Sequence, residues 1–289
     1  MSSSFWSNIV IILKYTIGFI LFIYVIVLTQ ITEQTIMDHL KLIALKDFSL
    51  VKPSDNLSLL IAESLQLNRI EIENGDVIVV AQKIISKSEN RYKNIKDIVP
   101  TKKAIDLGKE LQRDPGFIQI ILDESSKIIS TDKNIILVEH KLGLININAG
   151  IDRSNIDQKD DIVLLLPENP SKSAQKLQLD IEKLINRSIS IIITDSMTRP
   201  YRSCVTNFAL ASSNIQSLID LKGEQDIYGN TLKSTEIAIA DELSAAAGLL
   251  MGQGNDAQPV VIIKGFNRDN YSKNDAINLI VKEEDDLYR

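Results

Sequence analysis

Four stretches of the chain gather residues that helix or strand formation alone does not require. Asn148-Ala149-Gly150-Ile151-Asp152-Arg153-Ser154-Asn155 follows an apolar segment. Its small residues let the backbone bend closely, and Asp152, Arg153 and Asn155 bring a carboxylate, a guanidinium fork and an amide into one loop. An Asx turn closed by a structural Asp–Arg pair fits the same residues. In Ile193-Thr194-Asp195-Ser196-Met197-Thr198-Arg199-Pro200-Tyr201-Arg202, a carboxylate and a hydroxyl end an apolar strand. Hard oxygen donors at the carboxyl edge of a sheet suit Mg²⁺ or Mn²⁺, and Arg199 and Arg202 suit anionic substrate groups. Met251-Gly252-Gln253-Gly254-Asn255 closes an Ala- and Leu-rich helical stretch. Its glycines fit either a helix C-cap or a loop whose backbone N–H groups receive phosphate; the spacing matches neither the Walker nor the dinucleotide-binding fingerprint. Gln82-Lys83-Ile84-Ile85-Ser86-Lys87 offers two cations for nucleotide phosphates, or two ordinary surface lysines.

The remaining composition removes most other chemistries. Among 289 residues there is one cysteine, Cys204, and two histidines, His39 and His140. An internal disulfide, a multi-thiolate zinc site and a His-rich iron or zinc centre are therefore excluded, and any catalytic metal is held by oxygen. The chain has 32 Lys and Arg against 38 Asp and Glu, a net charge of −6, and no basic block. It is no nucleic-acid binder, because affinity for phosphate backbones comes from clustered cations. Carboxylates, arginines, lysines and glycine loops without a histidine base suit metal-assisted phosphoryl chemistry better than acid–base hydrolysis. Cys204 is assigned no chemistry.

The elements that must position these residues alternate, which gives an α/β class, mixed α+β. Pro53-Ser54-Asp55-Asn56 is a turn and cap ahead of a helix over 57–67, and Asn74-Gly75-Asp76 precedes a buried strand over 77–82. Helical spacing recurs over 101–111, 116–129, 171–185 and 235–251. Short apolar runs predict strands over 137–140, 142–147, 162–166, 190–194 and 260–264. Beyond Asn267 the chain is polar and ends in an acidic run, Glu283-Glu284-Asp285-Asp286, read as a solvated tail. The expected division is an apolar segment at 1–36, a catalytic domain at 37–266 and a polar tail at 267–289.

From Phe5 to Gln30 the only charge is Lys14, and Tyr15 to Thr29 is unbroken by any charged residue. That is about the 20 residues a bilayer-spanning helix needs, with Trp6 and Tyr15 suited to an interface. No small-residue cleavage site follows it, which disfavours a signal peptide. Two readings fit: an N-terminal apolar helix tethering a cytoplasmic catalytic domain to the membrane, or a start mis-assigned upstream of Met37.

Five motifs, taken in order, resemble one family: VEHKLGLININAGIDRSN, LLLPENP, IITDSMTRPYR, DLKGEQDIYGNTL and ADELSAAAGLLMGQ. In this order and spacing the chain is similar to the coenzyme F420-0:L-glutamate ligases, GTP-dependent γ-glutamyl ligases of deazaflavin cofactor synthesis, from about Leu40 to Gly265. The resemblance implies the F420 ligase-like fold, an intertwined homodimer, GTP as co-substrate, and two Mn²⁺ or Mg²⁺ ions. It also implies L-glutamate and a deazaflavin-type phosphodiester acceptor as substrates. On length, the nitroreductase-like domain that some members fuse to the C-terminus is not expected here.

Carried over by motif, Asp152 and Asp195 would hold one ion, with Ser196 and Gln253 around a second. Gln82, Lys83, Lys87, Asn155 and the loop Met251, Gly252, Gln253, Gly254, Asn255 to Gln258 would contact GTP. Phe48-Ser49-Leu50-Val51 sits where the family has a nucleotide-contacting turn. The implied reaction activates the acceptor carboxylate as an acyl phosphate, which the glutamate amine then displaces. Arg199 and Arg202, on charge alone, would hold carboxylates of glutamate or of the growing tail. The family's TDTFGRPWRRGQTD reads TDSMTRPYRSCVTN here, from Thr194 to Asn207. Ser196 keeps the hydroxyl, whereas the altered loop 197–207 leaves two alternatives open. One is γ-glutamylation of another acid, such as a folate-like cofactor. The other is a membrane-anchored, non-catalytic relative that binds nucleotide.

Overall fold

Two short apolar runs, VIVVA and SIIIT, become the parallel centre of a five-stranded sheet. The computed structural model describes residues 39–132, 135–156, 161–266 and 271–287. In chain order the strands of the main sheet are β1 (Lys41–Ala44), β2 (Val77–Ala81), β8 (Ser190–Arg199), β9 (Arg202–Ser213) and β12 (Val260–Lys264). They lie in the order β1-β12-β2-β8-β9, and β2 and β8 pair in parallel from Val77↔Ser190 to Ala81↔Thr194 while the other pairs are antiparallel. Val77 to Val80 and Ile191 to Ile193 are wholly buried. These strands are covered on both faces, which is why they read as continuous apolar runs instead of alternating ones.

Alternate residues of these strands feed two cores. Ile78, Val80, Ile191, Ile193, Val260 and Ile262 pack against α1 (Leu57–Leu67) and α5 (Pro170–Ile185). Val77, Val79, Ile192, Val261 and Ile263 pack against α6 (Ile239–Met251) on the other face. Local signals set the helix ends. The Asn56 side chain accepts from Ser58 and Leu59 N–H at the start of α1, and Asn169 accepts from Lys172 N–H beside Pro170 at the start of α5.

A third core joins α3 (Lys102–Glu110) and α4 (Pro115–Asp123) to the antiparallel sheet β4 (Ser125–Asp132), β5 (Ile135–His140) and β6 (Ile145–Ile147). The small pair β3 (Tyr92–Asn94) and β7 (Ile162–Leu164) lies next to it. The short helix α2 (Gln82–Ser88) follows β2 directly, and β10 (Ile219–Asp220) pairs with β11 (Glu236–Ile237). From Leu40 onward the chain forms one unit.

Several expected elements differ. The helix predicted over 116–129 stops at Asp123, and Ser125 onward is strand. Ile128 pairs with Val138 of β5 and Ile129 is the bulge beside it, so the ladder overrides the helical spacing. The helix predicted from 235 begins at Ile239, because Glu236 and Ile237 are drawn into the ladder with β10. The strand predicted over 142–147 is only β6; Gly143 N–H bonds to the His140 carbonyl and makes a turn of residues 141–144. The strand predicted over 190–194 runs on to Arg199 and turns into the twelve-residue β9. The segment 271–279, expected as solvated tail, packs on the main sheet: Ala276 is buried and the Asp275 carboxylate accepts from Ser212 N–H at 2.9 Å. The apolar run at 5–30 lies outside the described residues; among those described, no helix is long and apolar enough to cross a membrane.

Candidate active site

β2 ends at its carboxyl edge with Ala81 paired to Thr194, and there the chain turns into α2 while β8 runs on to Arg199. Open α/β sheets bind ligands at this edge. Here it forms the floor of a cavity of about 580 Å³, within the usual range for small-molecule sites. Gln82, Lys83 and Lys87 reach the cavity from α2 and Asp195 and Ser196 from β8, while Asp152 and Asn155 enter on the loop after β6. Phe48, Ser49, Leu50 and Val51, which follow β1, form one wall. Met251, Gly252, Gln253, Gly254, Asn255 and Gln258, which follow α6, form another.

Asp152 is held at both oxygens. Gln82 Nε2 donates to its Oδ2 at 2.7 Å, and Lys83 Nζ lies 3.1 Å from its Oδ1. The Gln82 amide is itself oriented, since its Oε1 accepts from Ser86 Oγ at 2.9 Å. The Asp152 backbone is fixed too: its N–H and C=O exchange bonds of 2.9 and 3.0 Å with Leu164. Burial pushes the Asp152 carboxyl up, against the opposing charge of Lys83. Asp195 Oδ1 accepts from Ser196 N–H at 2.8 Å. Burial drives its carboxyl up to about 7, and the negative charge of Asp152 adds to the effect. Two carboxylates in a half-buried floor, Asp152 raising the proton affinity of Asp195, form a site that a cation would relieve.

The oxygen chemistry suits Mg²⁺ or Mn²⁺: two carboxylates, the Ser196 hydroxyl and the Gln253 carboxamide line the same cavity. Among the described residues no three His, Cys, Asp or Glu side chains gather at one point, so a larger nitrogen- or sulfur-rich centre finds no ligands there.

The glycine loop takes the cap role its composition allowed, and it also lines the cavity. Gly252 caps α6 at φ +69°, and a Cβ there would lie 1.9 Å from Asp256 Oδ2, so only glycine fits. The loop beyond it is tied across the cavity: Asn155 Nδ2 donates to the Gly254 carbonyl at 2.9 Å, and Lys87 Nζ donates to the Asn155 carbonyl at 2.8 Å.

Arg199 and Arg202 are not among the cavity's lining residues. They pair across the tip of the β8–β9 hairpin, where Tyr201 turns the chain at φ +58°. Asp195 and Ser196 likewise lie within a long strand and do not end one. Sequence reasoning passed over Thr194 and Asn207 as site residues, yet both line the cavity. Asn207 became visible only when β9 folded back beside β8, at Ser196↔Asn207.

A family model described as F420-0:Gamma-glutamyl ligase matches residues 47–265. The chain is 42% identical to the coenzyme F420:L-glutamate ligase of Methanocaldococcus jannaschii over 234 residues, covering 81% of this chain and 90% of that relative. It is 39% identical to the Methanococcus maripaludis protein of the same name over 218 residues, covering 75% and 86%. Against that of Methanothermobacter thermautotrophicus it is 36% identical over 227 residues, covering 78% and 89%.

Proposed function

Since the chain belongs to the F420-0:gamma-glutamyl ligase family, we propose that it is a ligase joining L-glutamate by an amide bond to coenzyme F420-0, with GTP as co-substrate. The observation that carries this reading is the convergence, at the carboxyl edge of β2 beside β8, of two mutually repelling carboxylates, two lysines and a glycine loop. Asp152 and Asp195 would hold a divalent cation, with Ser196 and Gln253 near a second. Cations bound there offset the charge of the β- and γ-phosphates as the phosphoryl group moves.

Lys83 and Lys87 neutralise phosphate oxygens, and the loop from Gly252 to Gln258 lays backbone N–H groups against the nucleotide. An acceptor carboxylate oxygen attacks the γ-phosphorus and GDP leaves. The glutamate amine then attacks the acyl carbon, a C–N bond replaces the C–O bond to phosphate, and phosphate and a proton depart.

Mass spectrometry of products after incubation with GTP, Mn²⁺, L-glutamate and F420-0 tests this directly. The expected result is a glutamyl adduct of F420-0 with matching GDP and phosphate, each requiring all four components. GTP binding without any adduct would favour the non-catalytic relative, and an adduct only with a folate-like acid would move the acceptor. A homodimer is part of the same reading, checked by light scattering in solution. Tethering by residues 5–30 is checked by whether the full chain stays with membranes in high salt.

A further inference from the structure

Asn207 is almost wholly buried on β9, directly across from Ser196, and its side chain lies between Thr194 and Gln253. The polarity of this chain of contacts is rooted in a backbone carbonyl. Thr194 Oγ1 donates its only hydrogen to the Phe208 carbonyl at 2.8 Å, so toward Asn207 it can only accept. Asn207 Nδ2 therefore faces Thr194, at 3.4 Å, and Asn207 Oδ1 is the end left to accept from Gln253 Nε2 at 2.9 Å. That bond uses the nitrogen end of the Gln253 carboxamide and leaves its oxygen for the cavity that Gln253 lines.

α6 approaches β9 this closely because residue 248 has no side chain: a Cβ on Gly248 would lie 2.7 Å from Asn207 Cγ and Oδ1. We propose that Asn207 is a positioning residue that turns the oxygen of the Gln253 carboxamide into the cavity, so that the glycine loop offers a divalent cation a ligand and not an N–H₂ group. An unrestrained carboxamide exchanges its two ends by rotation about one bond, and the nitrogen end repels a cation. The proposal rests on the cation site of the ligase reading, and it adds what decides the identity of one ligand atom.

The test is Mn²⁺ affinity, read by electron paramagnetic resonance of the free ion, without turnover. Asn207→Leu should weaken Mn²⁺ binding about 10- to 100-fold, the usual effect of losing an outer-shell partner. Asn207→Asp, whose carboxylate still accepts from Gln253 Nε2, should rescue it. In a Gln253→Ala background, Asn207→Leu should add no further loss, because Asn207 acts through Gln253. If Asn207→Leu does not fold, Gly248→Ala displaces Asn207 without removing a buried polar group and should weaken binding in the same way. Unchanged Mn²⁺ affinity in the folded variants, or an equal loss with Gln253 absent, overturns the assignment. Wild-type protein that binds no Mn²⁺ overturns the cation site as well. Wild-type protein that follows the whole pattern yet makes no glutamyl adduct supports Asn207 and separately refutes the ligase reading.

Discussion

Replacing Asp195 by Asn should make the metal-free protein more stable at pH 8 while removing its affinity for Mn²⁺. The carboxyl is pushed by burial, and then by Asp152, to about 7 in the folded state, against an unfolded value near 4. A carboxyl with the higher pKa when folded binds protons preferentially in the folded protein. It therefore favours folding at low pH, and its contribution is lost as pH rises from about 4 to about 7. At about 1.4 kcal/mol per pH unit, ionised Asp195 costs the folded protein up to about 4 kcal/mol above pH 8, of which about 2.5 kcal/mol appears between pH 5 and pH 8. Asn keeps an oxygen for the Ser196 N–H and carries no charge to repel Asp152, so the substitution removes this cost. Urea unfolding in EDTA at the two pH values measures it as the difference between variant and wild type. Asp152 is coupled to Asp195, so the difference measures the Asp195 charge together with its repulsion of Asp152. If Asp195→Asn is less stable than wild type by the same amount at pH 5 and pH 8, the repulsion argued for the floor of the site does not exist.

Lys87→Ala should raise the apparent KM for GTP more than it lowers kcat; steady-state kinetics that show equal falls in kcat and kcat/KM would place the lysine in the transition state instead. Asp76 is buried and accepts from Lys264 Nζ at 2.7 Å and Glu73 N–H at 2.9 Å, so Asp76→Asn should cost about 3 kcal/mol in urea unfolding by leaving a half-buried ammonium poorly paired. The nearby His140 ring and the Arg91 guanidinium, 2.9 Å away, hold Glu124 below the usual carboxylate range. That stability is present above the ordinary glutamate pKa and is lost as pH falls through the lower folded value. Glu124→Gln should therefore cost about 2 kcal/mol at pH 7, and less as pH falls through the folded value.

The strands at the centre of the sheet were legible because burial on both faces writes an unbroken apolar run, as in VIVVA and VVIIK. A helix with a side-chain cap was legible for a similarly local reason: Asn56 marks the start of α1 in sequence as in structure. Where pairing partners lie far along the chain, local spacing misled. Residues 125–129 continue a helical pattern, and only the ladder to residues 135–140 shows that they belong to a strand. The site divides in the same way. Asp152, Asp195, Lys83 and the glycine loop announce themselves by residue type after an apolar run. Asn207 does not, since it is one polar residue in a strand, and its role depends on a hairpin, a helix end and a missing Cβ. The two arginines show the converse error: charge close in sequence to Asp195 is carried away along the strand to the hairpin tip.

The contacts within the cavity also bear on what nucleotide binding can gain there. Lys83 already pairs with Asp152 and Lys87 with the Asn155 carbonyl, while Asn155 ties down the Gly254 carbonyl. A phosphate that engages these lysines replaces protein acceptors, so each contributes only the difference between two hydrogen-bonded states, a fraction of its gross strength. The geometry is thereby set before the nucleotide arrives, and little side-chain entropy remains to be lost on binding. The carboxylates follow the opposite logic. The charge of Asp152 raises the pKa of Asp195, so a cation there gains its own coordination and also removes their repulsion. Affinity at this site should therefore depend more steeply on the metal than on either lysine, and the nucleotide should bind weakly where the cation is withheld.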